Sequence, residues 1–271
     1  MSSKVHSAKT DNGRSRSTDP QDYQAVPRAI AAMPKSFAPG DTIAPHTHPR
    51  DQVLYAIEGV MRVATLREAW IVPPDRALYV PGGIEHGVAM KGRVEMRTLY
   101  IRPGAAPGLP SEPAVLEISA LLKSLILAML EEPVHYDEQG RGGMLAALIL
   151  DELARAQHLQ LVIPMPRDER LKRLCRALLD DPSRPETLDA WAARVGASPR
   201  TLSRLFASEV GLSFAQWRQR VRLHNAMEAI VRGEAIGEVA RANGYESASA
   251  FSAAFRKAMG IAPRQLTRGG G

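Results

Sequence analysis

Four side chains in the first third of the chain are of the types that hold metal ions or polar ligands: His46, His48, Gln52 and His86. The first three lie in Gly40-Asp-Thr-Ile-Ala-Pro-His-Thr-His-Pro-Arg-Asp-Gln, and the fourth closes Pro81-Gly-Gly-Ile-Glu-His. Side chains two apart on an extended strand share a face, so His46, His48 and, without a bulge, Gln52 are expected to point together. A third imidazole from His86 would complete a set of three neutral nitrogens and one carbonyl oxygen, which suits Zn²⁺, Ni²⁺, Fe²⁺, Mn²⁺ or Cu²⁺. The same residues can also work without metal, as packing or as hydrogen-bond partners of an organic ligand, and the sequence leaves both readings open. Glu58 and Glu85 are the only nearby carboxylates for general acid or base work, and solvated surface positions suit both better.

Elements that would bring these residues together are visible around them. From about Ala25 to Gly104 the chain reads as short apolar runs, among them Gln52-Val-Leu-Tyr-Ala-Ile, Val60-Met-Arg-Val-Ala, Ala69-Trp-Ile-Val and Val94-Glu-Met-Arg-Thr-Leu-Tyr-Ile. Turn residues separate them at Glu58-Gly59, Pro73-Pro74, Pro81-Gly82-Gly83 and Lys91-Gly92. Strands this short imply a small β-sandwich or barrel. The two histidine-bearing stretches resemble the two motifs of the cupin barrel. That resemblance implies a metal centre of two His and a Glu from the first motif and a His from the second. Gln52 departs from it, standing where the pattern usually has Glu, and the missing negative charge should weaken the hold on a hard dication.

A second kind of chemistry is written near the end of the chain, where one pattern occurs twice. The first copy passes through Ala192, Gly196, Ser198, Leu202 and Phe206 to Gly211; the second passes through Ala240, Gly244, Ser247, Phe251 and Phe255 to Gly260. Each has a Gly that permits a left-handed turn, a Ser N-cap and a helix with apolar residues four apart, which is a helix-turn-helix. Ser213 to Arg232 runs between them without Pro or internal Gly. At ~1.5 Å per residue it spans on the order of 30 Å, against a major-groove repeat of ~34 Å, so it can hold two reading helices in successive grooves. On the first reading helix Leu202, Leu205 and Phe206 supply the buried stripe, leaving Arg200, Thr201, Ser203 and Arg204 outward. On the second the outward positions are Ala248, Ser249, Ser252 and Ala253.

Arg200-Thr-Leu-Ser-Arg-Leu-Phe, Gly211-Leu-Ser-Phe, Trp217-Arg and Gly244-Tyr-Glu-Ser resemble the double helix-turn-helix of AraC-family transcriptional regulators over roughly the last hundred residues. The resemblance places Arg200, Ser203 and Arg204 at base-contacting positions, with Arg204 able to fork onto guanine O6 and N7. Ser249 and Ser252 occupy the second reading helix, where the family often has long polar side chains, so specificity should lean on the first. Arg218 and Arg222 on the connecting helix, with Arg256, Lys257 and Arg264, are the expected phosphate contacts.

Composition agrees with a two-domain globular protein. The 271 residues are 45% hydrophobic and 24% charged, with a formal net charge of +6. From Pro164 onward there are 18 Lys+Arg against 11 Asp+Glu, leaving 17 against 18 before it, so the basic excess sits wholly in the helical repeat. One cysteine, Cys175, excludes a disulfide within the chain and reads as a buried core thiol. No apolar run opens the sequence and none is long enough to span a bilayer, so a cytoplasmic location is expected.

The expected organisation is α+β: a disordered tail over 1–24, a cupin-type sensor barrel over 25–104, a helical dimerisation segment over 113–160, a stiff extended linker over 161–167 and an all-α double helix-turn-helix over 168–268. In the helical segment, Pro113 to Glu131 carries Ile118, Leu121, Leu122, Leu125, Ile126 and Met129 on one stripe, and Gly143 to His158 carries Leu145, Leu148, Ile149 and Leu153. Such a stripe either packs on the barrel or forms a dimer interface, as in barrel-linked AraC regulators, and the dimer is favoured. The linker would let the two domains move. The function expected is that of a sequence-specific transcription regulator responding to a small effector or divalent metal in the barrel, and not an enzyme. Its partners would be double-stranded promoter DNA, a second copy of the chain, RNA polymerase and an unknown effector, with no membrane. The alternatives are a cupin metalloenzyme with an appended DNA-binding region and a non-specific DNA-packaging protein.

Overall fold

A computed structural model describes residues 16–159, 161–260 and 262–266. The alternating apolar runs form an antiparallel sheet of β1 (Ile30–Phe37), β2 (Thr42–His46), β3 (Asp51–Ala64), β4 (Glu68–Val72), β5 (Arg76–Val80), β6 (His86–Ile101), β7 (Ala114–Glu117), β8 (His158–Leu159) and β9 (Val162–Pro164). The strand order is β1-β6-β3-β5-β7-β8, with β2 beside β6 and β4 between β3 and β9. The long strands β3 and β6 pair from Asp51 opposite Ile101 to Ala64 opposite Gly87 and carry the site. Alternation sorts their residues. Leu54 and Ala56 share a core with Val88, Met96 and Tyr100, while Val53 and Tyr55 pack with Tyr79 and Leu99 against two helices.

Those helices are α1 (Ala120–Glu131) and α2 (Arg141–Arg155), and they start later and earlier than the apolar stripe suggests. Ser119 caps α1, accepting from the Leu122 N–H, so Ala114–Glu117 is left to pair with β5 as a strand. Most of the stripe is spent inside the molecule: Leu122, Leu125, Ile126 and Met129, with Leu145, Ala146, Ile149 and Leu153, are buried against the sheet. Leu121, Leu127, Met144 and Leu148 remain exposed on the outer side.

The C-terminal half is helical: α3 (Glu169–Asp180), α4 (Leu188–Val195), α5 (Pro199–Leu205) continued by a π turn over Phe206–Val210, α6 (Phe214–Val231), α7 (Ile236–Ala242) and α8 (Ala248–Met259). Asp168, Thr187, Ser198, Ser213 and Ser247 each cap a helix through the side chain. Gly196 supplies the φ of 72° that turns α4 into α5, a conformation that costs any residue with a Cβ. Cys175 is fully buried among Leu171, Leu174 and Leu178, and burial raises its thiol pKa.

Two expectations about connectivity need correction. The stretch 161–167 is not a free spacer: Val162–Pro164 joins the sheet beside β4, and Leu161 and Ile163 are buried. Trp217 Nε1 donates to the Pro164 carbonyl at 2.8 Å, and Arg62 of β3 pairs with Asp180 of α3 at 2.9 Å. Leu223, Met227 and Ile230 of α6 belong to the same continuous apolar cluster as the barrel interior. The apolar residues around the two prolines thus favour burial over an extended linker, and the two halves are seated on each other.

The tail expectation also shortens. Residues 1–15 lie outside the described residues, as does the last part of the expected 168–268 domain. Pro20–Tyr23, however, forms a 3-10 turn capped by Asp19, and Tyr23 is buried with its ring stacked on Tyr100 at 6.0 Å. One aromatic supplies the anchor that the polar composition hides.

His224 of α6 is fully buried, its Nδ1 2.8 Å from the Arg220 carbonyl, and desolvation lowers its pKa to about 4. The unfolded chain takes up this proton near the ordinary value of about 6.5 while the folded protein refuses it until about 4. Stability should therefore be complete above pH ~6.5 and decline by up to about 3 kcal/mol as pH falls to ~4. Denaturant unfolding across that range should show a shallower acid decline in His224→Gln; an unchanged slope would remove His224 as the cause.

Candidate functional site

The sequence expects His46, His48 and Gln52 on one strand, whereas the structure brings them together from two strands and a turn. His46 ends β2, directly opposite His86 at the start of β6, after a register shift between Ile43 and His46. His48 sits in the following turn and Gln52 on β3, paired with Tyr100. Gly82 makes this convergence possible. A Cβ there would lie 2.4 Å from the Pro49 carbonyl oxygen, so only glycine lets the turn before His86 close onto the turn after His48.

The three imidazoles offer ligand atoms within 4.8 Å of one another. His48 and His86 are buried, His46 is half-buried, and desolvation lowers the His86 pKa to about 4, which keeps it neutral. Each Nδ1 faces a backbone carbonyl: Ala44 at 3.0 Å from His46, Arg50 at 2.6 Å from His48 and Ile84 at 2.9 Å from His86. Those carbonyls assign the proton to Nδ1 and leave a lone pair on every Nε2. Gln52 Oε1 lies 2.9 Å from Nε2 of both His48 and His86, setting acceptor against acceptor.

Two arrangements remove that conflict. In one, a cation is held among the three nitrogens and the amide oxygen. In the other, the Gln52 amide turns over, its NH₂ donating to both imidazoles and its oxygen accepting from the Tyr100 hydroxyl, 3.3 Å from the amide. The donor set therefore fits a divalent transition metal and is also satisfied without one. A carboxylate at position 52 would bind metal more strongly but has no protons to close the second network.

Sequence reasoning missed Tyr100 and the wall of the cavity beside the cluster. Tyr100 lies edge-on to His48, ring centroids 5.5 Å apart. Met33, Lys35, Leu54, Val88 and Met96 complete a cavity of about 40 Å³, room for an ion or water. The signal was parity: Val88, Met96 and Tyr100 fall at even steps from His86 along β6. Glu58 and Glu85 are exposed.

The DNA-reading candidates divide into two groups. Arg200, Ser203 and Arg204 of α5 are exposed, and neither arginine has a side-chain partner among the described residues. Ser249 of α8 is exposed, while the Ser252 hydroxyl donates to the Ala248 carbonyl at 2.7 Å. Arg256 and Lys257 project into solvent from the same helix, and Arg264 follows it on a 3-10 turn.

Arg218 and Arg222 are also engaged within the chain. Arg218 donates to the carbonyls of Glu186, at 3.1 Å, and Arg184, and Arg222 donates to Pro182 at 3.2 Å. Periodicity placed them on the α6 surface but could not show that the loop between α3 and α4 covers that surface. Arg218→Ala should thus cost about 1–3 kcal/mol in stability by stranding those carbonyls, whereas Arg256→Ala should leave stability within about 0.5 kcal/mol. Equal melting temperatures for the two variants would contradict this division.

Comparison with known proteins follows the same partition. A helix-turn-helix domain family matches residues 191–269 and a cupin domain family matches 35–102. The HTH-type transcriptional regulator NimR of Escherichia coli (strain K12) is 31% identical over 218 residues, covering 80% of each chain. The HTH-type transcriptional activator RhaR of Klebsiella pneumoniae is 24% identical over 265 residues, covering 90% of this chain and 93% of that protein. A structure of fatty-acid-bound ToxT from Vibrio cholerae covers 88% of this chain and 94% of its own at 13% identity and a TM-score of 0.36, too low to carry an argument. No helix among the described residues is long and apolar enough to cross a membrane.

Proposed function

The chain belongs to the AraC family of helix-turn-helix transcriptional regulators, with a cupin domain ahead of its DNA-binding half, and on that premise we propose that it reads promoter DNA through α5 and α8 and senses a divalent transition metal at His46, His48, Gln52 and His86. The observation that carries the sensing role is the anchoring of all three Nδ1 atoms on carbonyls, which leaves three Nε2 lone pairs without a proton on rings whose ligand atoms lie within 4.8 Å of one another. His46, His48, His86 and the Gln52 carbonyl would hold the ion, whose charge would favour the carbonyl-inward amide; without it the Gln52 amide can turn over, donate to His48 and His86 and accept from Tyr100. Because the barrel interior and α6 share one apolar cluster, a shift there reaches the strut between the two reading helices.

At 18 residues α6 is about 27 Å long, so α5 and α8 can enter neighbouring major-groove turns. Arg200, Ser203 and Arg204 supply base contacts, Ser249 and Ser252 weaker ones, and Arg256, Lys257 and Arg264 phosphate contacts. Leu121 and Leu127 on α1 and Met144 and Leu148 on α2 are exposed apolar side chains, and on this reading Met144 and Leu148, one turn apart on α2, centre the contact with a second copy. Sedimentation should show a dimer that Leu148→Lys splits; a wild-type monomer at micromolar concentration would remove that role. Contact with RNA polymerase at a bound promoter and a location in the cytoplasm follow from the regulator role. NimR and RhaR are transcriptional regulators, which argues against the enzyme alternative.

Calorimetric titration of the full chain with Zn²⁺, Ni²⁺ or Mn²⁺ should show one ion per chain. DNA affinity should then differ between metal-loaded and chelator-treated protein by about 1–3 kcal/mol, the usual size of a coupling free energy. Metal binding with no change in DNA affinity would make the cluster structural.

A further inference from the structure

The cavity at the histidine cluster has about 40 Å³, room for one ion, and its wall carries more than imidazoles. Met33 and Met96 line it, and both are buried. Strand alternation points them there: Met33 falls at an even step from Phe37 on β1, and Met96 at an even step from Tyr100 on β6, all four in the barrel core. Imidazole serves many ions. Thioether sulfur is a soft ligand that suits monovalent copper, Cu⁺, better than Ni²⁺ or Mn²⁺, and the sulfur ligands of Zn²⁺ are thiolates instead.

Charge on the wall points the same way. No Asp or Glu is among the residues that line the cavity, and Lys35 is the one fixed charge there. Lys35 is half-buried, its Nζ 5.3 Å from the centre of the Phe37 ring, with no ion pair among the described residues. A cation entering this cavity therefore gains no counter-charge and meets a positive one. The desolvation cost of an ion grows as the square of its charge and the repulsion from Lys35 in proportion to it, so a monovalent ion bears about a quarter of the first and half of the second.

We propose that the cluster takes Cu⁺ in preference to dications, with Met33 and Met96 adding thioether sulfurs to the imidazoles of His46, His48 and His86. The proposal rests on the cluster holding metal, as the sensing role does, and goes beyond that role in the ion and in the two methionines. Lys35 works as a filter that opposes dications more than Cu⁺.

Two competition titrations of the full chain test this, one with Cu⁺ against bicinchoninate under anaerobic, reducing conditions and one with Zn²⁺ against a chromophoric chelator. Cu⁺ should bind one per chain and at least about 100-fold more tightly than Zn²⁺. Met33→Leu combined with Met96→Leu nearly conserves volume and should weaken Cu⁺ binding by about tenfold or more while Zn²⁺ binding stays within about threefold. Circular dichroism checks the fold of that variant. Lys35→Gln should tighten Zn²⁺ binding by about tenfold and Cu⁺ binding by only about threefold, because the energy of a fixed charge scales with the charge of the ion. His46→Ala should remove Cu⁺ binding, which places the ion at the cluster. Cu⁺ bound no more tightly than Zn²⁺, or Cu⁺ affinity unmoved by the methionine pair or by His46→Ala, would overturn the proposal and leave a dication site standing. An equal gain for both ions in Lys35→Gln would overturn the part given to Lys35. Cu⁺ binding without Zn²⁺ binding would support the proposal and remove dications from the sensing role; binding of neither ion would overturn both.

Discussion

Gln52→Glu should tighten divalent-metal binding by on the order of 100-fold, and His86→Ala should abolish it. A unit charge placed next to a dication is worth several kcal/mol even at an effective dielectric of about 20, and part of that gain is lost to desolvating the carboxylate. The same substitution has an opposite effect on the metal-free protein. Glutamate cannot donate to His48 and His86, so chelator-treated Gln52→Glu should be less stable than wild type by about 1–3 kcal/mol, the cost of leaving buried polar groups unpaired. Calorimetry with Zn²⁺ and thermal unfolding in chelator read the two effects separately. His86 is fully buried, so its alanine variant needs a folding check by circular dichroism, which Gln52→Glu makes dispensable for the argument. Unchanged metal affinity in Gln52→Glu would show that residue 52 does not face the ion.

Arg204→Ala should weaken binding to the preferred DNA site by about 1–3 kcal/mol, roughly 5- to 150-fold, and relax one base position. Ser249→Ala and Ser252→Ala should each stay within about 1 kcal/mol. The Ser252 hydroxyl proton is already given to Ala248, and neither serine can reach a base edge with two hydrogen bonds. Arg256→Ala should lower affinity across all sequences and reduce the salt slope by about one. Base preference is thereby concentrated in the half-site under α5, with groove shape counting for more under α8. Competition binding with single-base variants of the site decides this; equal losses from Arg204→Ala and Ser249→Ala would contradict it.

Local signals carried most of the fold that was legible in the sequence. Ser198, Ser213 and Ser247 cap helices where their spacing to the apolar stripe placed them, because a cap is decided within four residues. The turn glycines and alternating runs likewise announced a barrel that matches the cupin family over 35–102. Long-range partners were not legible. Tyr100 meets Gln52 across 48 positions, and Val162–Pro164 becomes a strand only because β4 offers a free edge. Nor does helical periodicity say what covers a face, so the contacts of Arg218 and Arg222 with the loop between α3 and α4 could not be read from it. At the histidine cluster the residue types were readable but the route was not: the convergence of His46, His48 and Gln52 depends on a register shift and on the close approach that Gly82 allows.

Selection of bound sites from random double-stranded DNA, using the full chain, tests the regulatory account most directly. The account predicts an enriched site with two half-sites about one helical turn apart, sharp under α5 and tolerant under α8. Enrichment of no motif, with binding that depends only on salt, would contradict it and favour non-specific DNA packaging.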